Sequence, residues 1–248
     1  MVGRAIAHRL AAEGACVIVA DRDADGAKRV AEELGSTDVS IASVVDVTDE
    51  DAIVASLREA VLAFGGVDLI VNNAGMSISK PLLQTTVRDW DVQHDVMARG
   101  SFLVSREAVR VLRAQGMGGD IVYISSKNAL FAGGNNLAYG ATKADQAHQV
   151  RLLATELGAD GIRVNGINPD GVARGQASSP RAGAPSAPPT TASTRRTWAR
   201  STHSGRCSNG ILPEHVANAV HALTAGDLSH TTGLHIPVDA GVAAAFLR

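Results

Sequence analysis

Three features are scarce in this sequence: cysteine, net charge and long apolar runs. The two cysteines, Cys16 and Cys207, provide no disulfide framework, so a reducing cytoplasm is the expected compartment. A net charge of −2 at neutral pH gives no reason to expect nucleic acid or an anionic membrane as a partner. No apolar run is long enough to cross a bilayer, and residues 1–10 are amphipathic, unlike a signal peptide.

The composition and the apolar pattern predict one α/β domain over residues 1–248. With 45% hydrophobic residues, a chain of 248 residues can bury the core of a single domain. Helical and strand patterns alternate, which is typical of a doubly wound parallel sheet with helices on both faces and ligands at the carboxyl ends of its strands. The predicted helices cover 5–13, 24–34, a segment opened by a Thr48–Asp51 capping box, 96–115 and a segment containing Tyr139; the predicted strands cover 16–20, 41–47, 67–71, 121–126 and 162–167.

Ser126, Tyr139 and Lys143 are spaced as an acid–base site. Ser126 ends an apolar strand pattern, and Tyr139 and Lys143 stand at i and i+4 of a helical pattern, which places them on one helix face. A phenol with a pKa near 10 becomes a base at neutral pH only if a neighbouring ammonium stabilises its anion by roughly 4 kcal/mol. The serine hydroxyl could hold a substrate oxygen while the tyrosine moves a proton. Taken alone, the three residues could also be a surface Tyr–Lys pair beside a strand-ending serine.

These residues and two further motifs resemble the short-chain dehydrogenase/reductase family over residues 3 to about 174 and 211–248. The matching motifs are Asn72-Asn73-Ala74-Gly75, Ser126 with Tyr139-x-x-x-Lys143, and Asn168-Pro169 after the sixth family strand. The resemblance implies a Rossmann-type fold. It also implies a hydride-transferring oxidoreductase with Ser126, Tyr139 and Lys143 as catalytic residues.

The resemblance further implies where a nicotinamide cofactor would bind. Asp21 would accept the adenosine ribose hydroxyls, which favours NAD over NADP because a 2′-phosphate would meet its charge; the adjacent Arg22 weakens that preference. The other implied positions are Gly3, as the last glycine of a Gly-rich turn; Asp46 and Val47, beside the adenine; Asn73, Ala74 and Gly75, along the cleft; Tyr139 and Lys143, of which the lysine would bind the nicotinamide ribose; and Pro169.

Two departures from the family pattern concern the proton relay and the first strand. The family places a relay Asn between Asp95 and Gly100, where this chain has Met97, and a thioether cannot donate the hydrogen bond that holds a relay water. The family's first strand and most of its Gly-rich turn, which precede Gly3, are not in the sequence. Because that strand lies between the second and fourth strands, we expect a gap in the middle of the sheet, weak NAD binding and low stability.

Residues 173–210 differ in composition from the rest of the chain, and we assign 175–210 as irregular. They contain no Leu, Ile, Val, Met, Phe, Tyr, Asp, Glu or Lys. A disordered insert is one interpretation. Our hypothesis is a frameshift, because reading the third base of each codon as the first would make Ser178-Ser179, Trp198 and Cys207-Ser208 apolar. Sequencing the gene tests this: a shifted frame that meets stop codons or stays polar would contradict it.

The shifted frame, together with residues 168–170 and 231–239, resembles the dehydrogenase half of bifunctional rhamnulose-1-phosphate aldolase/lactaldehyde dehydrogenase proteins. This narrower resemblance implies oxidation of lactaldehyde with NAD in rhamnose breakdown, and an aldolase domain upstream. The family resemblance implies a homo-oligomer, since family members associate through the helices near 96–115 and 139–157.

One sequence pattern suggests a metal. Asp21-x-Asp23-x-Asp25-Gly26, closed by Glu32, matches a calcium loop. The preceding residues are strand-like, however, and Lys28 stands at a normally apolar position, so we expect these acids to bind ribose and cap the next helix. The eight histidines show no metal-ligand spacing, and no metal site is expected.

Two functions remain open from the sequence. The first is an oxidoreductase that acts on a small alcohol, aldehyde or ketone, which the intact Ser126, Tyr139 and Lys143 favour. The second is a non-catalytic nucleotide-binding relative or an inactive fragment, which the absent first strand and the composition of 173–210 favour.

Overall fold

Helices and strands alternate along the chain in the computed structural model, which describes residues 1–173 and 210–241. The helices are α1 (Val2–Ala12), α2 (Ala24–Leu34), α3 (Glu50–Phe64), α4 (Val87–Gln93), α5 (Gly100–Gln115), α6 (Leu137–Leu157) and α7 (Pro213–Thr224). The strands are β1 (Val17–Asp21), β2 (Ser40–Val44), β3 (Leu69–Asn72), β4 (Gly119–Ile124), β5 (Ile162–Pro169) and β6 (His235–Val238). A π-helical segment, His94–Arg99, leads into α5, and 3₁₀ turns cover Leu82–Gln84, Lys127–Ala129 and Gly158–Asp160.

The described strands pair in parallel, but they form two sheets. One sheet contains β1 and β2, with Val17 opposite Ser40; the other has the order β3-β4-β5-β6, with Ile124 opposite Ile167. The break lies between β1 and β3, where the family resemblance predicts a gap. The apolar residues of these two strands are only partly buried, whereas those at the end of β4 are buried. The apolar side chains of the two strands beside the break are therefore less buried than those of β4, in the centre of the larger sheet.

Helices cover both faces of these sheets. On one face α1 packs against α7, and α2 packs on β1 and β2. The core there consists of Ile6, Val122, Ile124, Ile167, Ile211, Val216, Ala217, Val220 and Leu223. The other face is covered by α3, α5 and α6, with a core of Val109, Leu112, Ile121, Tyr123, Val150, Ala154, Leu157, Ile162 and Val164. The predicted doubly wound α/β fold is confirmed.

Three local differences from the prediction have identifiable causes. Asp49, not Thr48, caps α3, because the Asp49 carboxylate accepts hydrogen bonds from two N–H groups of the first turn. Thr48 instead donates its hydroxyl to Asp46 at 2.8 Å. That turn also ends the strand predicted over 41–47 at Val44. The helix predicted over 96–115 begins earlier, with wider π-helical turns.

The segment 175–210 lies almost wholly outside the described residues. Its assignment as irregular, the frameshift hypothesis and the single domain over 1–248 therefore stay predictions. The described chain resumes beside the point at which it stops, since Val172 and Ile211 form a parallel bridge.

Two glycines after α5 provide a test of local packing. Gly116 (φ +68°) and Gly118 (φ +74°) both adopt left-handed conformations, but a Cβ on Gly118 would lie 2.5 Å from the Gly161 carbonyl oxygen, whereas a Cβ on Gly116 would meet nothing within 4 Å. We expect Gly116→Ala to destabilise the protein by about 1 kcal/mol, from backbone strain alone, and Gly118→Ala by clearly more. Urea unfolding of both variants measures this, and equal losses would contradict the predicted clash.

Candidate active site

Ser126, Tyr139 and Lys143 meet beyond the carboxyl end of β4. Ser126 caps the 3₁₀ turn Lys127–Ala129, where its hydroxyl oxygen accepts a hydrogen bond from the Asn128 N–H at 3.2 Å. Tyr139 lies in the first turn of α6 and its side chain hydrogen-bonds that of Ser126. Lys143 follows one turn later, on the same helix face. The structure brings these three side chains together, and we call them the triad. Their catalytic roles stay predictions.

Lys143 is buried, and its ammonium group is held by two oxygens. Its Nζ donates hydrogen bonds to the Ile124 carbonyl oxygen at 2.9 Å and to Gln146 Oε1 at 2.8 Å. Burial lowers the pKa of Lys143 to about 7, because a charged amine is poorly solvated there. The amine therefore titrates near neutral pH.

The pKa of Tyr139 shifts in the direction opposite to the predicted one. Burial raises it above its ordinary value, and the hydrogen bond with Ser126 lowers it by less. Lys143 Nζ lies 5.8 Å from the centroid of the Tyr139 ring. Its two hydrogen bonds go to Ile124 and Gln146 and not to Tyr139. Lys143 is not among the causes of the tyrosine pKa shift, so the prediction that Lys143 lowers the pKa of Tyr139 is wrong for this arrangement.

The predicted cofactor positions near the start of α1 adjoin one another. Gly3 lies against Asn73, since a Cβ on Gly3 would be 2.7 Å from Asn73 Nδ2. Ala74 and Gly75 follow β3 and are exposed. Gly75 also adjoins the π-helical segment, since its Cβ would lie 3.4 Å from Met97 Sδ. The first turn of α1, residues 73–75 and Met97 therefore border one region.

The predicted adenosine positions cluster at the ends of β1 and β2. Asp21 is exposed and accepts a hydrogen bond from the Asp23 N–H at 3.0 Å. Hydrogen bonds from Thr48 lower the pKa of Asp46, and the charge of Arg22 lowers it further. Val47 contacts the start of α5, since a Cβ on Gly100 would lie 2.8 Å from Val47 Cγ2.

Pro169 lies apart from that cluster. It is buried at the end of β5, opposite Val238 of β6. The next residue, Asp170, forms an ion pair with Lys127 at 2.8 Å, directly after Ser126. Pro169 therefore borders the triad's side of the sheet edge.

Sequence reasoning missed Gln146, which is 1% exposed and bonds directly to Lys143. Its position three residues after Lys143 on a helix was the available signal. A polar residue at that spacing on the inner face of a helix indicates a partner for the lysine.

The segment that matches a calcium loop is a strand end followed by a helix. Asp21 ends β1, and Asp23 caps α2 by accepting a hydrogen bond from the Gly26 N–H at 3.1 Å. Within residues 1–173 and 210–241, no three His, Cys, Asp or Glu side chains are grouped to hold a metal ion. In the same ranges no helix combines the length and apolarity that a membrane crossing requires.

A comparison with protein families and curated proteins gives a broad match. The family model described as enoyl-(acyl carrier protein) reductase matches residues 2–243. The uncharacterized oxidoreductase YuxG of Bacillus subtilis is 37% identical over 270 positions, which cover 100% of this chain and 36% of YuxG. The chain thus spans about a third of that relative's length. Cis-4-hydroxycyclohexanecarboxylate dehydrogenase of Sinomonas cyclohexanicum is 34% identical, over 98% of this chain and 92% of that protein.

Solved structures give the same result. A 3-ketoacyl-(acyl-carrier-protein) reductase from Brucella melitensis, complexed with NADH, has a TM-score of 0.82 and 28% identity, over 98% of this chain and 93% of that one. A 3-ketoacyl-ACP reductase from Sinorhizobium meliloti has a TM-score of 0.81 and 33% identity, over 100% and 96%. With the family match over residues 2–243, these likenesses show that the chain belongs to the short-chain dehydrogenase/reductase family of oxidoreductases.

Proposed function

We propose that the protein is an NAD-dependent oxidoreductase that interconverts a small alcohol and its aldehyde or ketone. The observation that carries this proposal is the hydrogen bond between Ser126 and Tyr139, with the buried amine of Lys143 one helical turn away. A proton donor or acceptor beside a second hydroxyl is what alcohol–carbonyl interconversion needs.

The residues along the carboxyl edge of the strands fit a nicotinamide dinucleotide. The N-terminus of α1 has no side-chain cap, so its free N–H groups could bind a phosphate. Gly3 in that turn approaches Asn73 so closely that a side chain would not fit. Asp21 presents an exposed carboxylate for ribose hydroxyls, and Lys143 has a third N–H donor. The NADH complex of the Brucella melitensis structure supports this assignment.

Each triad residue has one task in the proposed reaction. When bound, the nicotinamide ring supplies the hydride acceptor for alcohol oxidation. The Ser126 hydroxyl holds the substrate oxygen, and the Tyr139 oxygen takes the proton of the substrate hydroxyl. Protonated Lys143 stabilises the tyrosine anion and binds the nicotinamide ribose.

Asp21 should decide the choice between NAD and NADP. We expect Asp21→Ser to lower the ratio of NADH affinity to NADPH affinity about tenfold, because the variant loses a charged hydrogen bond to ribose and a repulsion of the 2′-phosphate. Fluorescence titrations with both nucleotides measure the ratio. Asp25→Ser is the control, since Asp25 is an exposed acid in the first turn of α2. An unchanged ratio in the Asp21 variant would remove Asp21 from the site.

Lactaldehyde is the substrate we propose, with rhamnose breakdown as its source. Water adds to its aldehyde group to give the hydrate, one hydroxyl of the hydrate gives its proton to Tyr139, the same carbon gives its hydride to NAD, and lactate is the product. The resemblance of residues 168–170 and 231–239 to lactaldehyde dehydrogenase halves supports this choice. YuxG extends well beyond the matched region, which is compatible with the proposed upstream aldolase domain. NADH absorbance with lactaldehyde and a panel of small alcohols and aldehydes tests the choice. Faster turnover of another panel member would assign a different substrate.

Nucleotide binding without turnover is a second candidate, because the sheet is interrupted between β1 and β3 and Met97 replaces the relay residue. NADH binding without NADH formation from any panel member would favour it.

We also propose a homo-oligomer formed through α5 and α6. Both helices expose large apolar residues, Phe102 and Leu152. Light scattering after gel filtration measures the mass, and a monomer at all concentrations would contradict this assembly.

A further inference from the structure

Lys143 has a partner on its own helix that the triad does not include. Its Nζ donates to Gln146 Oε1 and to the Ile124 carbonyl oxygen, and these bonds use two of its three N–H donors. The third donor is therefore the one that could meet a ligand on the side of Tyr139.

Gln146 is itself fixed in place. Its Nε2 donates to the Met97 carbonyl oxygen at 3.1 Å and to Ser101 Oγ at 3.2 Å. The amide thus uses both hydrogens and its oxygen. Rotating the amide by half a turn would aim its N–H groups at the Lys143 ammonium, so the hydrogen-bond network determines its orientation.

The partner of Gln146 lies in the π-helical segment His94–Arg99. Wider π-helical turns change the direction of the backbone carbonyl groups, and two of these groups accept hydrogen bonds from α6. The Met97 carbonyl accepts from Gln146, and the Ala98 carbonyl accepts from Gln149 at 3.0 Å. Met97 therefore presents its backbone to this network, while its thioether lies against Gly75.

We propose that Gln146 is a positioning residue for Lys143 and replaces the relay amide that the family pattern places at position 97. The inference rests on the proposed function. The amide oxygen of Gln146 favours the charged form of the amine, which is the form that stabilises a Tyr139 anion. An amide neither takes up nor releases a proton near neutral pH. Gln146 therefore positions the Lys143 amine without itself taking part in proton transfer.

Gln146→Met, with Gln149→Met as the matched control, tests the proposal. Both substitutions remove an amide between α6 and the π-helical segment at similar volume, but only Gln146 contacts Lys143. We expect kcat with NAD and lactaldehyde, or the fastest panel substrate, to fall about 10- to 100-fold in Gln146→Met, as for a misplaced catalytic group. The control should lose stability but retain its kcat.

The pH profile separates positioning from a purely structural role. Tyr139 is the titratable side chain beside Lys143, and loss of the Gln146 oxygen disfavours the ammonium form. The ratio of unaltered to Gln146→Met activity should therefore rise about fivefold between pH 6 and pH 8, the rise expected if the lysine pKa falls from about 7 by about one. NADH titration over the same pH range compares the unaltered protein with Gln146→Met in the absence of turnover. NADH affinity should report the same lysine, because Lys143 would bind the nicotinamide ribose.

Two outcomes overturn the role of Gln146: equal losses of kcat in both methionine variants, or pH profiles of turnover and NADH affinity that coincide with those of the unaltered protein. Retained turnover in Tyr139→Phe would instead overturn the proposed function. An inactive Tyr139→Phe with an unaffected Gln146→Met would overturn this inference alone.

Discussion

Tyr139→Phe is expected to lower NADH formation about a thousandfold while leaving NADH affinity nearly unchanged. The substitution removes one oxygen, the proposed proton acceptor, and general acid–base groups typically contribute factors of 10² to 10⁴. The aromatic ring and its packing on α6 remain. Steady-state absorbance measurements give kcat, and NADH fluorescence titration gives the affinity.

Tyr123→Phe is the matched control, since Tyr123 and Tyr139 are the two tyrosines of the chain. The Tyr123 hydroxyl is buried and contacts Ser105 Oγ at 2.7 Å and Gln149 Oε1 at 3.1 Å, so its hydrogen-bond partners are not the proposed catalytic residues. We expect Tyr123→Phe to retain turnover and to lose about 2 kcal/mol of unfolding free energy, because the buried hydroxyl makes hydrogen bonds to both Ser105 and Gln149. Similar kcat values for the two variants would show that Tyr139 is not the acid–base group.

The fold was predictable because local signals and the global pattern agree. The bounds of α2 follow from Asp23, whose carboxylate caps its start, and from Gly35, which ends it. The alternation of helices and strands then allowed few arrangements other than a parallel sheet with two helical layers. Even the position of the sheet break followed from the family's strand order.

The electrostatics of the site could not be predicted in the same way. Spacing placed Lys143 and Tyr139 on one helix face, but the direction in which the amine points depends on Gln146 and on the Ile124 carbonyl group, which tertiary packing brings together. The π-helical segment that orders Gln146 carries no clear sequence signal. Burial, which dominates the pKa of Tyr139 and Lys143, is likewise a property of the folded chain.

The pH dependence of stability should reveal the buried amine directly. The ordinary pKa of a lysine is 10.5, and burial lowers that of Lys143 to about 7. Because the folded state binds this proton more weakly than the unfolded state, protonation of Lys143 opposes folding. The penalty is fully present below about pH 7, and it fades by about 1.4 kcal/mol per pH unit as the pH rises towards 10.5.

Lys143→Met removes that penalty and should therefore change the pH dependence of unfolding. The variant leaves the Ile124 carbonyl and the Gln146 amide oxygen without their donor, a loss that does not vary with pH. The unfolding free energy of the variant minus that of the unaltered protein should thus be higher at pH 6 than at pH 9, by about 3 kcal/mol. Urea unfolding at several pH values measures it, with Lys28→Met as the exposed control.

A constant difference across that pH range would mean that the Lys143 ammonium is hydrated in the folded protein and carries no burial penalty. The expected result has a functional consequence. A lysine that destabilises the fold at neutral pH, at a position where methionine is better tolerated below pH 7, is retained for its chemistry and not for its packing. Loss of turnover in the same Lys143→Met variant would connect that destabilisation to the proton transfer at Tyr139.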